Sequence, residues 1–276
     1  MNVYSLINEN NEWLSLSNFK ETALIPSFYG VGYEHDETYV RVGNSYRLEN
    51  REIKQGQLSG RIVFKEYSKY LELIEYLEDS ESLRLIYKPI DTEYYRDVIF
   101  QGITGVVVKG AVVECDINFN CKGLYYTQDD RRFTLEAIEG ESRWPLPFPF
   151  TFNDYSNISI TYNNRGHTDS EFVVEIYGYT EKPELKLFID GVLKYKVSFN
   201  VTIQEGEKLL YSAKDGNNYV AIQRADGSQE YIPNCLSLER DNFFKIPKGE
   251  CILKVSTETG VRNKVVFTIL TAFKGV

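Results

Sequence analysis

The sequence predicts a mainly β protein with two domains and one α-helix in the first. Aromatic residues are frequent, with 21 Tyr and 16 Phe in 276 residues, and these side chains fit the half-buried surface of a pleated sheet. Apolar and polar residues alternate with a period of two over much of the chain. A proline-rich aromatic segment, residues 141–153, separates a stretch whose pattern indicates strands and one helix from a stretch whose pattern indicates strands almost throughout. We therefore expect a first domain at residues 1–140 and an antiparallel sandwich or jelly roll at residues 154–276.

Residues 67–79 predict the helix of the first domain. Polar residues separate apolar ones that recur at steps of three and four, which gives one apolar stripe for packing on a sheet. The stripe consists of Tyr67, Tyr70, Leu71, Ile74 and Leu77. The segment after it, residues 83–88, indicates a strand that Pro89 ends.

Glycines divide the β pattern of the first domain. Gly102, Gly105 and Gly110 interrupt an alternating stretch and predict bends or short turns between antiparallel strands. The earlier stretch at residues 30–57 is polar and rich in glycine. It indicates a long hairpin or an extended arm, and periodicity alone does not decide between them.

Turn signals organise the second domain. Alternating segments at residues 157–164 and 171–178 predict strands. Two further alternating segments flank Asp190-Gly191, a pair that favours a two-residue hairpin turn. More turns are expected at Asp215-Gly216 and Asp226-Gly227, and no segment of this half predicts a helix.

The proline-rich segment itself predicts a stiff joint. Each X-Pro step favours an extended backbone, while four aromatic residues are too apolar to remain in water. These are Trp144, Phe148, Phe150 and Phe152, and we expect them to dock onto a domain. The alternative is a polyproline ligand for an aromatic groove.

Charge and cysteine usage narrow the class of protein. The net charge of −9 argues against a nucleic-acid partner. The first residues lack a signal-peptide pattern, and no apolar run reaches the length of a membrane span, so a soluble protein made in a cytoplasm is expected. The four cysteines lack zinc-binding spacing and predict buried free thiols: Cys115, Cys121, Cys235 and Cys251.

Few residues predict chemistry. His35 is a candidate metal ligand in a segment that indicates a solvated loop, and His167 is a candidate catalytic base in a turn, but neither has a partner motif. Residues 215–219 and 225–229 resemble acidic calcium loops without the rest of that pattern. Dinucleotide and phosphate loops are missing. The sequence therefore predicts no catalytic, cofactor or metal site, assigns no ligand-binding residue, and favours a protein that is not an enzyme.

The order of motifs in the second half resembles the distal tail proteins of siphophages, and the helix and arm of the first half fit the same family. One departure is that residues 209–217 lack the Ile-Asp pair usual there. The motifs, in order, are WPLPFP at 144–149, Asn163-Asn164-Arg165-Gly166, a strand ending at Gly178, Pro183, the Asp190-Gly191 hairpin, QEGEKLLYSAKDG at 204–216 and Pro247-Lys248-Gly249.

The resemblance implies a structural protein of the virion. The first domain would be β-sandwich-like and would form a ring, which is usually a hexamer in this family. The ring would link the tail tube protein to the tail-tip hub or tail-associated protein. The second would be a galectin-like sandwich, which in some relatives binds receptor-binding proteins. It implies location at the phage tail tip after synthesis in the host cytoplasm, with no cofactor.

Other functions stay open at this point. A paralogous baseplate component would share both domains. A carbohydrate-binding module would present three exposed aromatic residues on one concave sheet face. A glycosidase on a jelly roll would need two facing carboxylates about 5–9.5 Å apart.

Overall fold

A computed structural model describes residues 3–18, 21–134, 157–236, 242–257 and 264–276. The chain divides into two compact units, the first formed by Met1–Thr127 with Phe273–Val276 and the second by Gln128–Ala272. The division falls within one strand, β10 (Tyr125–Thr134). The joint expected at residues 141–153 lies outside the described residues, and so do Trp144, Phe148, Phe150 and Phe152.

The other elements of the first unit are nine strands and one helix. They are β1 (Val3–Asn8), β2 (Trp13–Ser15), β3 (Thr22–Tyr29), β4 (His35–Val42), β5 (Ser45–Ile53), β6 (Gln57–Phe64), α1 (Tyr67–Glu78), β7 (Leu83–Lys88), β8 (Tyr94–Lys109) and β9 (Val112–Cys121).

Strand β8 belongs to two antiparallel ladders. Its first residues pair with β7, through Leu83↔Val98 to Tyr87↔Tyr94, and β7 continues to β1 and β2. Its later residues pair with β9, which continues to β6 and β3. The core draws on both ladders, with Leu6, Ile62, Leu85 and Ile117 all fully buried. The first unit is therefore a β-sandwich, as predicted.

Helix α1 confirms the predicted helix and packs on this core through Leu73 and Leu77, which are buried. Tyr70 is partly buried against the same core. Leu71 was assigned to the apolar stripe but is 42% exposed. Tyr67, also assigned to that stripe, is 49% exposed, whereas Leu73 was not assigned to it and is 1% exposed. The buried face of the helix therefore differs from the one that the sequence pattern indicated.

Two of the three glycines expected to mark turns lie inside a strand. Gly102 and Gly105 interrupt the β8–β9 register without ending β8, and they have φ of 151° and 61°. These are β-bulges, for which glycine is suited because a side chain disfavours a positive φ. Gly110 alone forms the turn to β9. The sequence pattern could not separate a bulge from a turn, since both need the same backbone freedom.

Among the described residues, ten further strands, β11 to β20, lie wholly within the second unit, and so does one 3-10 turn at Pro233–Cys235. An eleventh strand, β21, belongs to this unit up to Ala272. The strands are β11 (Asn157–Asn164), β12 (Glu171–Tyr177), β13 (Thr180–Glu181), β14 (Glu184–Ile189), β15 (Val192–Ser198), β16 (Thr202–Ile203), β17 (Lys208–Lys214), β18 (Asn217–Gln223), β19 (Gln229–Tyr231), β20 (Gly249–Ser256) and β21 (Lys264–Phe273).

Two antiparallel sheets enclose the core of the second unit. One has the order β19-β18-β17-β12-β21 and the other β11-β20-β14-β15. Phe172, Tyr211 and Phe267 from the first sheet are buried with Leu187 and Leu253 from the second. The predicted antiparallel sandwich is thus confirmed.

The predicted hairpin turns are also present. Asp190 and Gly191 connect β14 to β15 with φ of 51° and 74°, the positive values that a type I′ turn requires. Gly216 connects β17 to β18, and Gly227 lies between β18 and β19. Local sequence was sufficient for these turns, because the backbone demand and the residues that meet it are adjacent in the chain.

Candidate functional site: the hairpin arm of the first unit

The most exposed element of the first unit is the hairpin formed by β4 and β5, residues 35–53, which we call the hairpin arm. Its two strands pair only with each other among the described strands. Every residue of β5 is exposed, and so is every residue of β4 except His35. Of the two options that the sequence left open, the structure forms a hairpin.

One face of the hairpin arm carries a cluster of apolar side chains. Tyr39 lies directly opposite Leu48, and Tyr46 follows on the same face because side chains alternate along a strand. The exposed fractions are 71% for Tyr46, 51% for Tyr39 and 42% for Leu48. Val40 and Val42 lie on the opposite face and are exposed as well. An exposed apolar cluster of this kind is typical of an interaction surface.

Nearer the base of the hairpin arm, polar side chains on the same face contact one another. The Arg51 guanidinium lies 3.1 Å from a carboxylate oxygen of Glu37, and Arg51 Nη2 lies 3.2 Å from Nδ1 of His35. The Tyr39 hydroxyl donates to Glu37, and this hydrogen bond raises the pKa of Tyr39. These contacts align the two strands but are too exposed to add much stability.

A second exposed apolar patch lies at the far end of β8 and β9. Val106, Val107 and Val108 are 44%, 45% and 54% exposed, and they precede the turn at Gly110. Unlike the strands of the hairpin arm, β9 is paired on its other side with β6 up to Phe64↔Val113. The first unit therefore presents a second exposed apolar patch besides the hairpin arm.

The residues weighed for metal or acid–base chemistry do not come together. His35 begins β4 and is paired with Ile53 across the hairpin, so the expectation of a solvated loop there was wrong. His167 lies in the connection between β11 and β12, where its backbone N–H donates to Ala272. The described residues contain no group of three His, Cys, Asp or Glu side chains suited to a metal ion.

The four cysteines are free and buried, as predicted. Cys115 and Cys121 lie on the inward face of β9. Burial raises the pKa of Cys115, Cys235 and Cys251 to about 11 and that of Cys121 in the same direction. A thiol with a raised pKa is a poor nucleophile at neutral pH, so these residues serve as core side chains.

Aromatic residues of the second unit lie mostly in its core. Phe172, Phe199, Tyr211, Phe244 and Phe267 are all 3% exposed or less. In the described part of this unit two aromatic side chains are strongly exposed, Tyr195 on β15 and Tyr231 on β19, and these strands belong to different sheets. This distribution does not provide the three-aromatic platform expected of a sugar-binding face.

The loop Asn163-Asn164-Arg165-Gly166 has a structural role. Asn164 is 1% exposed, and its amide donates to the carbonyls of Thr168 and Ile246 while its side-chain oxygen accepts from the Gly166 N–H. A Cβ on Gly166 would lie 2.6 Å from the Ala272 carbonyl oxygen. The motif therefore connects the β11–β12 loop by hydrogen bonds to two other segments, and its fourth residue has to be glycine.

Comparison with known proteins identifies the first unit. Residues 3–122 match the family model described as the N-terminal domain of distal tail protein. No curated protein matches the sequence. None of the helices among the described residues is long and apolar enough to cross a membrane.

Solved structures resemble the chain over nearly its whole length. A chain of the phage P2 baseplate, in its activated conformation with calcium, matches with a TM-score of 0.66 and 13% identity, and both chains are covered completely. The same baseplate with strontium gives the same values. The SPP1 Dit (gp 19.1) protein, described as a paradigm of the hub adsorption apparatus in phages that infect Gram-positive bacteria, matches with a TM-score of 0.62 and 11% identity over 96% of this chain and 98% of its own.

These likenesses show a shared fold at low identity. The match of residues 3–122 carries the assignment further, because it covers the sandwich, the helix and the hairpin arm together. The resemblance that the sequence motifs suggested is thereby confirmed, and residues 3–122 form a distal tail protein N-terminal domain.

Proposed function

We propose that this protein forms a closed ring at the phage tail tip and joins the tail tube protein to the tail-tip hub or tail-associated protein. The protein has a structural role and no catalytic one, and it is made in the host cytoplasm before assembly into the virion. Residues 1–140 form the ring, residues 141–153 act as a stiff joint, and residues 154–276 form an outward galectin-like sandwich that is available to receptor-binding proteins.

The observation that carries this proposal is the exposed apolar face of the hairpin arm. Tyr39, Tyr46 and Leu48 together hold a large apolar area in water, which is unfavourable at about 25 cal/mol per Å². A two-stranded ribbon is also marginally stable by itself. Contact with another chain would bury these side chains and hold the ribbon, so the arm is suited to an assembly interface.

A ring needs a particular kind of contact. In a head-to-tail interface, one surface of each copy binds a different surface of the next, and the chain of contacts closes when the rotation fits. The hairpin arm provides the first surface. A neighbouring copy provides the second, and we expect hexamers because that is the usual ring of the resembling family.

The test substitutes the apolar face of the hairpin arm. Tyr46→Ser combined with Leu48→Ser removes two of its three apolar side chains without touching any buried residue of the first unit. The unchanged protein is expected to have a molar mass several times the 32.0 kDa of one chain. The double variant is expected to have the molar mass of a single chain at the same concentration. Light scattering coupled to gel filtration measures both.

The matched control is Val192→Ser combined with Tyr231→Ser, which removes exposed apolar side chains of similar size from the second unit. This control is expected to assemble like the unchanged protein. Equal assembly of the unchanged protein and the Tyr46→Ser, Leu48→Ser variant would contradict a role for the hairpin arm. Loss of assembly in the control as well would mean that removing exposed apolar side chains from either unit prevents assembly, and that the hairpin arm has no special role.

A further inference from the structure

The first unit holds an arginine whose charge has no acidic partner among the residues that the structure describes. Arg96 on β8 is 3% exposed. Its Nε donates to the Gly123 carbonyl at 2.9 Å, and its guanidinium lies over the Tyr125 ring at 4.7 Å from the centroid. Its Nη1 is buried and has no hydrogen-bond partner. A buried guanidinium of this kind is costly unless an anion pairs with it.

The nearby acids of the described chain are already engaged. Asp97, the next residue, accepts from Arg84 at 2.9 Å and from the Tyr126 hydroxyl at 3.0 Å. Glu34 lies 3.1 Å from the Lys54 ammonium. The described part of the chain therefore supplies no carboxylate to Arg96.

Space for an anion exists beside the Arg96 side chain. Arg96 lines one cavity of about 370 Å³ with Gly32, Glu34 and Lys54, and another of about 400 Å³ with Lys54 and Lys122. Three of the charged residues in these walls are cationic, and one, Glu34, is acidic. The walls thus carry net positive charge on a chain whose net charge is −9.

Gly56 leaves the space that the Arg96 guanidinium occupies. A Cβ at residue 56 would lie 2.3 Å from Arg96 Nη2 and 3.4 Å from Nη1. Any larger residue would displace the end of the arginine side chain. The same glycine accepts the Cys121 N–H at 2.8 Å, which fixes the cavity wall against β9.

We propose that the cavity of about 400 Å³, which Arg96, Lys54 and Lys122 line, binds a carboxylate. The Nη edge of Arg96 is its principal ligand. A guanidinium matches a carboxylate in a planar pair of parallel hydrogen bonds. Lys122 and Lys54 add positive charge at the walls. The carboxylate comes from an acidic side chain of a second copy of this chain, which carries 40 Asp and Glu, or from a free carboxylate in solution.

The test follows the Arg96 Nε–H signal by NMR during a titration with sodium acetate, at an ionic strength held constant with sodium chloride. The signal is assigned by its loss in Arg96→Lys. We expect a shift that saturates with acetate. Gly56→Ala is expected to weaken acetate binding by about tenfold or more, the effect of losing one charge-assisted hydrogen bond. Gly275→Ala, whose added methyl group would lie 3.7 Å from its nearest neighbour and which lines neither cavity, is the matched control and should bind acetate as the unchanged protein does.

Each other outcome has a defined meaning. A shift that rises without saturating, or that is the same in Gly56→Ala, would overturn the proposal. Saturation by inorganic phosphate but not by acetate would overturn the carboxylate assignment. If Arg96→Lys does not fold, through-bond NMR experiments on the unchanged protein assign the Arg96 Nε–H signal instead.

A dilution series in chloride distinguishes the two sources. A shift of the Arg96 signal with rising protein concentration, together with a smaller response to acetate at high concentration, assigns the carboxylate to a second copy. A response to acetate that is independent of protein concentration assigns it to a free carboxylate. The acetate titration can be made on single chains, so its failure and a failure of ring formation are separate results.

Discussion

Asn164 shows how one side chain of the second unit joins distant segments. Its amide and carbonyl satisfy three backbone groups, in Gly166, Thr168 and Ile246. A buried backbone group that loses its partner costs about 1–3 kcal/mol. The Asn-Asn-x-Gly pattern is thus explained by hydrogen bonding rather than by ligand binding.

Asn164→Ala is expected to lower the free energy of unfolding by about 2–3 kcal/mol, because backbone groups are left unpaired in the interior. Unfolding in urea followed by circular dichroism measures the loss. The neighbouring Asn163 is exposed, so Asn163→Ala is the control and should stay within about 0.5 kcal/mol. Equal effects of the two substitutions would contradict the role given to Asn164.

The cysteines give a second prediction for single residues. Since burial raises their pKa values and blocks access, Cys115, Cys121, Cys235 and Cys251 should react slowly with a disulfide reagent at pH 8 in the folded protein. All four should react rapidly in concentrated urea. Fast labelling of any thiol in native buffer would show that its surroundings are open.

Helix α1 is the element on which the core of the first unit can be tested. Leu73 lies in that core, whereas Leu71, two residues earlier, is 42% exposed. Leu73→Ala is expected to cost about 2–5 kcal/mol, the range for a buried leucine. Leu71→Ala should cost far less, and thermal unfolding of the two variants gives the comparison. Similar losses in both would mean that the helix packs on a different face.

Elements differ in how far the sequence predicts them. The β14–β15 hairpin and helix α1 follow from residues that are close in the chain, so both were predicted correctly. Strand β8 was not, because Gly102 and Gly105 read as turns until β9 is known to continue alongside them. Pairs such as Leu6↔Leu85 depend on contacts between distant segments, which local periodicity does not contain.

The candidate surface was predicted only in outline. Residues 30–57 indicated a hairpin or an arm, but their polar composition did not show that Tyr39, Tyr46 and Leu48 share one face. That arrangement depends on the register shift between Thr38 and Tyr39. Arg96 gave no signal in the sequence, since an arginine in an alternating strand is ordinarily a solvent-facing residue.

At the scale of the whole molecule, the match of residues 3–122 to a distal tail protein domain and the exposed hairpin arm lead to the same expectation. The apolar face of the hairpin arm is exposed, and contact with another copy would bury it. The central claim is therefore that copies of the protein associate through the first unit into a closed ring.

Electron microscopy of the purified protein tests this claim most directly. Class averages are expected to show closed rings with a constant number of copies, and the Tyr46→Ser, Leu48→Ser variant should show none at the same concentration. Images containing only single chains at every concentration of the unchanged protein, with no ring in any class, would contradict it.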